Sequence, residues 1–361
     1  MSARQVLDAF DRWRVQRVPL VLVTVTETIG STYSKAGHRI LLTDRGEFQG
    51  LVSGGCLEGD LAEHARGVLA AAQARTLTYD LRDGQDALWG LGIGCNGLFR
   101  LLLQPLSATD EYAPFATIAA RMRGDDPGAT ATVVESDDPR LPAGATVVSA
   151  GATRLAWQVA PPWRELLLGG CRAHTDAATA VLRRESVAGH AATVLYAPLR
   201  PLPRLLVLGA GLDAVPLVAM AQQLGWRVTV ADHRPAYLER GDLATADTLL
   251  LEPAGLAATL PLATFAAVVV MSHHLETDRA WLAALAPFAL PYIGLLGPAE
   301  RGARLVAELG AAGVALRTPL HSPVGLAIGA DSPESIALSI LAELQATLSP
   351  HRPQAAAGVR A

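Results

Sequence analysis

Arg204-Leu205-Leu206-Val207-Leu208-Gly209-Ala210-Gly211-Leu212-Asp213-Ala214 is the stretch whose reading decides the fold. Its first five residues are mostly aliphatic and read as a strand buried on both faces. They run directly into Gly209-x-Gly211-x-x-Ala214, and a helix is expected from there to about Leu224. The first glycine permits a tight turn. The second lets a phosphate approach the backbone, and alanine in third place still allows close helix–strand packing. A helix start presents free N–H groups and a positive dipole end, which suits an anion. The following strand ends at Asp232, 23 residues after Gly209, close to the spacing of an acid that bonds ribose hydroxyls. These features predict a Rossmann-type unit that binds a nucleotide-like ligand. Asp213 and Pro216 fit it less well, because an acid in the first turn repels phosphate.

Working outward, strands are expected at 204–209, 227–232, 247–251, 266–272 and 291–296, with helices between them. That alternation implies a parallel sheet covered on both faces. The last helix is expected to open at Ser332-Pro333-Glu334, a capping hydroxyl followed by proline and an acid. Pro198-Leu199-Arg200-Pro201-Leu202-Pro203 reads as a linker. Upstream of it, a helix is expected at 5–16 and strands at 21–26, 38–42 and 48–53, the last two joined by a turn at 44–46. A helix at 57–74 and strands near 76–82 and 98–105 follow. The segment 108–200 reads as an α+β continuation. It has a helix at 112–123, short strands at 130–135, 145–149 and 154–159, a helix around 174–188 and a strand near 192–197. The expected fold class is α/β: a Rossmann-type parallel-sheet domain at 201–349 behind an N-terminal α+β domain at 1–107, with 108–200 as the variable continuation of that unit and a disordered tail at 350–361.

The bulk numbers exclude several functions. In 361 residues half are apolar, 18% are charged and the net charge is −4, so there is ample core for two compact units and no general nucleic-acid footprint. Residues 2–17 alternate charge and apolar groups at helical spacing and lack the apolar stretch of a secretory signal. No apolar run reaches the 18 or so residues of a membrane span. Cys56, Cys95 and Cys171 are an odd set at wide spacing, which argues for reduced thiols in the cytoplasm.

Ser53-Gly54-Gly55-Cys56-Leu57-Glu58 lies between an expected strand and an expected helix. Glycines there allow backbone N–H groups to form an anion nest, and a cysteine at a helix start has more thiolate character. Gly92-Ile93-Gly94-Cys95-Asn96-Gly97 repeats the theme before another strand. Buried thiols in tight turns are the plain alternative. A structural zinc site is disfavoured, because no Cys-x-x-Cys spacing exists. Cys171, in Leu-Leu-Leu-Gly-Gly-Cys, reads as structural. Gly30-Ser31-Thr32-Tyr33-Ser34-Lys35-Ala36-Gly37-His38-Arg39 is a third polar loop whose Lys35 and Arg39 offer charge to an anion, or form a solvated loop.

These blocks together carry a family resemblance. Gly30-Ser31, Ala36-Gly37, Ser53-Gly54-Gly55-Cys56-Leu57-Glu58 and Leu91-Gly92-Ile93-Gly94-Cys95-Asn96-Gly97 resemble those of the XdhC/CoxI family, accessory proteins of xanthine dehydrogenase and related molybdenum hydroxylases. So do Gly209-Ala210-Gly211, Asp232-His233-Arg234, Ser272-His273-His274 with Asp278, Tyr292–Gly297, and Ser322–Gly329 with Pro333–Ala337. The resemblance covers both ends of the chain and skips roughly 108–200. It departs at Gly297-Pro298-Ala299-Glu300-Arg301, where the family has Gly-Ser followed by basic residues; Arg301 and Arg304 are the compensating charges.

The resemblance implies a chaperone for the molybdenum cofactor (molybdopterin). It protects the cofactor while a cysteine desulfurase-type sulfur donor installs the sulfido ligand, then inserts it into an apo-molybdenum hydroxylase. It implies a maturation factor more than a turnover enzyme, and a homodimer without nucleic-acid or membrane partners. Cofactor binding falls on Ser53, Gly54, Gly55, Cys56, Gly94, Cys95, Gly97, Gly209, Gly211, Asp232, Arg234 and His274. Cys56 and Cys95 are the molybdenum ligands, expected within reach of one another, since thiolates are soft donors. A nucleotide or NAD(P) is the candidate for the Rossmann loop. The rival reading is an NAD(P)-dependent oxidoreductase using His273 or His274 as acid or base.

Overall fold

In a computed structural model of the chain, residues 2–30, 32–53, 57–80, 97–239 and 242–348 are described. The chain divides into two compact units, Met1–Leu202 and Pro203–Ala361.

The first unit opens with the helix Ala3–Val15. The Ser2 hydroxyl accepts the Gln5 N–H at 3.4 Å, and the Gln5 side chain accepts the Ser2 N–H at 2.8 Å. Such a capping box contributes about 1 kcal/mol. Strands β1 (Leu20–Gly30), β2 (Arg39–Thr43) and β3 (Phe48–Gln49) come next, then the helix Glu58–Ala71, β4 (Arg75–Asp80) and β5 (Gly97–Leu106). They form an antiparallel sheet in the order β3-β2-β1-β5-β4. Alternation along the strands sends Val21, Val23, Ile40, Leu42, Phe99 and Leu101 to one face, where the helix Glu58–Ala71 covers them with Leu61, Ala65 and Val68. The opposite face carries Leu20, Leu22, Leu41 and Leu106. These join Phe10, Phe115, Val148 and Leu199 in a second core.

Val148 and Leu199 belong to a second antiparallel sheet. Its strands are β6 (Gly128–Ser136), β7 (Thr146–Ala150), β8 (Thr153–Trp157), β9 (Val181–Val187) and β10 (His190–Leu199), in the order β8-β7-β6-β10-β9. Ala131, Val133 and Val194 on its far face are covered by Trp163, Leu167 and Cys171 of the helix Pro161–His174. Cys171 is buried, and burial pushes its thiol up to about 12, so it packs as a small apolar group. The helix expected around 174–188 is not there. The helix ends at His174, and residues 181–187 form the edge strand β9, paired antiparallel with β10. Prolines 161 and 162 start the helix earlier, where missing N–H groups cost nothing. The run Leu182-Arg183-Arg184-Glu185-Ser186 satisfies its backbone by pairing on the sheet edge.

The second unit alternates strand and helix. β11 (Arg204–Leu208) leads to the helix Ala214–Gln223. β12 (Arg227–Asp232), β13 (Asp247–Leu250) and β14 (Ala267–Val270) follow, then the helix Leu275–Leu285, β15 (Ile293–Leu295), the helix Ala299–Ala311, β16 (Leu320–His321) and the helix Pro333–Leu348. All pairs are parallel, in the order β13-β12-β11-β14-β15-β16. On β11, Leu205 and Val207 pack toward the helices Ala214–Gln223 and Pro333–Leu348, while Leu206 and Leu208 pack toward Leu275–Leu285 and Ala299–Ala311. Ser332 caps the last helix, its hydroxyl accepting the Ser335 N–H at 3.2 Å. The chain changes direction across the sheet between β11 and β14. At such a switch point the loops beyond the strand ends diverge and leave a crevice where ligands of this fold sit.

Candidate functional site

In the second unit the crevice is built from the loops after β11, β12 and β14. Gly209 leaves β11 with φ +124°, and a Cβ there would lie 2.6 Å from the Met271 carbonyl and 2.7 Å from the Ser272 nitrogen. Only glycine allows β11 and β14 to diverge this closely. The Ala210 N–H donates to Asp232 Oδ2 at 2.7 Å, tying the glycine loop to the end of β12. Asp232 also takes both arms of Arg234: Nε to Oδ1 at 2.9 Å and Nη2 to Oδ2 at 2.8 Å, with the Arg234 N–H on Oδ1 at 2.9 Å. The guanidinium lies 3.8 Å over the Tyr237 ring. Burial pushes the Asp232 carboxyl up, but the bonds from Arg234 and Ala210 outweigh it and hold the group below its usual range. Its oxygens are therefore occupied by protein donors rather than presented to a ribose.

Asp213 stands at the N-cap of the helix Ala214–Gln223 and makes no capping bond. Its Oδ2 lies 2.6 Å from His273 Nε2, on the loop after β14. His273 holds a φ of +61°, an uncommon conformation for a residue with a Cβ. Its neighbour His274 does different work: its Nδ1 accepts the Thr277 N–H and caps the helix Leu275–Leu285. Ser272 bonds the buried Asp278 through its N–H at 3.1 Å and its hydroxyl at 2.5 Å. Asp278 is paired in turn with Arg301. Arg304 donates to Glu308 at 2.7 Å. Both arginines that would compensate the Pro298-Ala299-Glu300 departure thus have carboxylate partners. Further along the sheet edge, Glu343 accepts from Tyr292 at 2.7 Å and from the Gly325 N–H at 2.6 Å, and lies 2.7 Å from His321 Nδ1.

In the first unit, Glu58 is buried and gathers the flanks of the first cysteine loop. Its Oε1 accepts the N–H groups of Val52 and Ser53 at 2.9 and 3.3 Å. Its Oε2 accepts the Leu57 N–H at 3.1 Å and the Ser53 hydroxyl at 3.3 Å. Ser53 Oγ accepts the Leu57 N–H as well, at 2.9 Å. Both ends of the three-residue span 54–56 are held by one carboxylate. Gly54, Gly55 and Cys56 lie outside the described residues, as do Gly94 and Cys95, and with them the expectation that the two cysteines approach one another. Gly97 starts β5 directly across from Gly30. Among the described residues no group of three or more His, Cys, Asp and Glu is placed to hold a metal ion, and no helix is long and apolar enough to cross a membrane.

Of the expected site residues, Gly209, Gly211, Asp232 and Arg234 converge on one crevice, with His274 at its far loop. The sequence reading missed the Asp213–His273 contact, the buried role of Glu58 and the half-buried role of Glu343. A lone acid inside an apolar helix, as in Leu341-Ala342-Glu343-Leu344, is a signal that finds such a residue, because a carboxylate drawn partly out of water requires donors.

The parallel sheet, its glycine crevice and the antiparallel unit ahead of it define a Rossmann-domain protein with a separate N-terminal unit. The XdhC and CoxI family model matches residues 13–80, and the XdhC Rossmann domain model matches residues 205–344. The chain belongs to the XdhC and CoxI family. It is 29% identical to a Bacillus subtilis protein named as a probable xanthine dehydrogenase subunit, over 90% of this chain and 92% of that one. It is 23% identical to the Escherichia coli molybdenum cofactor insertion chaperone PaoD, over 90% of this chain and 82% of that one. A crystal structure from Bacillus halodurans described as a xanthine dehydrogenase matches with a TM-score of 0.77 and 29% identity, covering 99% of this chain and 98% of the other.

Proposed function

We propose that this protein is a molybdenum cofactor chaperone. It holds the cofactor as cargo while a cysteine desulfurase-type donor installs the sulfido ligand, and it inserts the product into an apo-molybdenum hydroxylase of the xanthine dehydrogenase type. The observation that carries the reading is the Glu58 collar. One buried carboxylate grips the N–H groups of Val52, Ser53 and Leu57, which flank Gly54-Gly55-Cys56, a stretch whose sequence supplies glycine N–H groups and a thiol. The likeness to PaoD along 90% of the chain supports the same reading.

The donor chemistry fits the cargo. Cysteine sulfur is a soft ligand suited to molybdenum, and glycine N–H groups suit an oxyanion. Cys56 and Cys95 are the proposed molybdenum ligands, with Ser53, Gly54, Gly55, Gly94 and Gly97 around them. In the second unit Gly209, Gly211, Arg234 and His274 are the proposed contacts to a nucleotide, and Asp232 acts through Arg234. The protein acts in the cytoplasm as a homodimer and turns over no substrate of its own.

The test is purification of the full chain from cells making the cofactor, followed by molybdenum analysis and pterin fluorescence. The wild type is expected to retain both. Cys56→Ala and Cys95→Ala are expected to retain at least tenfold less while folding normally. Absence of metal and pterin from the wild type, or NAD(P)H oxidation by the purified protein, overturns the reading in favour of an oxidoreductase.

A further inference from the structure

The two sheets of the first unit do not meet on apolar residues throughout. Leu20, Leu22, Val148 and Leu199 fill one end of the space between them. Further along the same faces the residues are polar: Thr24 and Thr26 on β1, Thr130 and Thr132 on β6, all buried. Arg39, the first residue of β2, sits opposite Thr24 in this seam. Its Nη2 reaches across to the other sheet and donates to Thr130 Oγ1 at 2.6 Å. Thr130 Oγ1 is in turn 3.4 Å from the Ala197 carbonyl, so the hydroxyl is oriented to receive the guanidinium.

Among the described residues Arg39 has no acid beside it. No carboxylate among them pairs with it, and Thr130 is the hydrogen-bond partner of its guanidinium there. The contrast with the other seated arginines is sharp: Arg140 is paired with Asp138, Arg234 with Asp232 and Arg301 with Asp278. Removal from water without a counter-charge lowers the Arg39 pKa to about 10. A half-buried cation with no counter-charge among the described residues is unfavourable, and the planar fork of arginine is shaped to take two oxygens of a phosphate or carboxylate. Beside it, His38 has a sealed Nε2 without a hydrogen-bond partner among the described residues, a second unsatisfied polar atom on the adjacent residue. Arg39 is itself partly exposed, so a solute can reach it.

We infer that Arg39, seated on Thr130 in the seam between the two antiparallel sheets, is a subsite for a tetrahedral oxyanion of the phosphate class. Thr130 seats the fork by accepting from Nη2 while its own proton is directed to the Ala197 carbonyl, so the remaining guanidinium N–H groups are the donors offered to the anion. The site stands on the first unit's own residues and does not require the cysteine loops. That the anion is the terminal phosphate of the cofactor rests on the function proposed above.

Isothermal titration of inorganic phosphate into the full chain at low ionic strength tests the site. The wild type is expected to show saturable binding, and its melting temperature to rise with phosphate. Arg39→Met is expected to bind at least tenfold more weakly, to lose the phosphate-dependent rise, and to melt no lower than the ligand-free wild type, because it removes a half-buried charge with no carboxylate beside it among the described residues. No saturable binding to the wild type, or equal affinity in folded Arg39→Met, overturns the inference. Should Arg39→Met fail to fold, Arg39→Lys and Thr130→Val put the same question: both are expected to weaken phosphate binding severalfold, and unchanged affinity in both refutes the site. Displacement of retained pterin cofactor by phosphate from the wild type assigns the subsite to the cofactor's phosphate. Saturable phosphate binding without displacement assigns it to a free anion and leaves the chaperone reading to stand or fall on its own test.

Discussion

Asp213 and His273 meet across the crevice of the parallel sheet, with Asp213 Oδ2 lying 2.6 Å from His273 Nε2. The acid sits inside the glycine loop, and a Cβ on Gly211 would come within 2.7 Å of its other oxygen. The place where this fold receives a pyrophosphate is thus occupied by a negative side chain held by the opposite loop. A phosphate entering there meets repulsion that the helix dipole alone offsets only in part.

Asp213→Asn removes that charge and keeps the shape. It is expected to strengthen binding of an adenine dinucleotide by about tenfold, or ~1.4 kcal/mol, in a fluorescence titration. Equal affinity for wild type and variant means that Asp213 does not guard the loop.

Glu58→Ala strands the N–H groups of Val52, Ser53 and Leu57 in a buried setting. Each lost partner costs on the order of 1 kcal/mol or more, so a loss of about 3 kcal/mol in urea unfolding is expected. Glu58→Gln keeps one acceptor oxygen and should lose less. If the collar presets the cysteine loop, folded Glu58→Gln also retains less molybdenum. Full retention makes Glu58 a stabilising residue only.

Gly209→Ala and Gly189→Ala separate strain from crowding. Gly189 has φ +86° and open space around a Cβ, so about 1 kcal/mol of strain is expected. Gly209 has φ +124° and would drive its Cβ into the Met271–Ser272 backbone, which cannot move without parting β11 from β14. A loss of at least ~3 kcal/mol is expected, or failure to fold. Similar midpoints in denaturant for the two variants would contradict this account.

Burial pushes the Glu343 carboxyl up, but bonds from Tyr292, Gly325 and His321 outweigh it and hold the group below its ordinary 4.5. A carboxyl depressed in the folded state stabilises fully above its unfolded value, and that stability is lost as pH falls through the folded value. Asp232, held below 3.8, acts in the same direction. The melting temperature should therefore fall as pH drops from about 5 toward 3, and Glu343→Gln should show a shallower fall. An acid limb of equal steepness in the variant assigns it to other groups.

The parallel unit was legible because its signals are local. Leu205–Leu208 can only be a buried strand, Gly209 and Gly211 have no Cβ to obstruct the turn, and Ser332 caps the helix that proline 333 begins. The middle segment was less legible. Residues 174–188 carry a pattern that a helix tolerates, and the choice of strand came from pairing with β10, a partner adjacent in space whose register no local rule supplies.

The candidate sites divide in the same way. The sequence by itself determined which chemistry is present: glycine loops, thiols, and an acid at the end of the second parallel strand. Only the tertiary structure decided how those groups are spent. Asp232 is engaged by Arg234, Asp213 by His273, Arg301 by Asp278, and Arg39 reaches Thr130 without an acid beside it among the described residues. Whether a charge is paired depends on what the fold brings within about 4 Å of it, and partners 60 or 91 residues away along the chain, as for His273 and Arg39, leave no trace in local spacing.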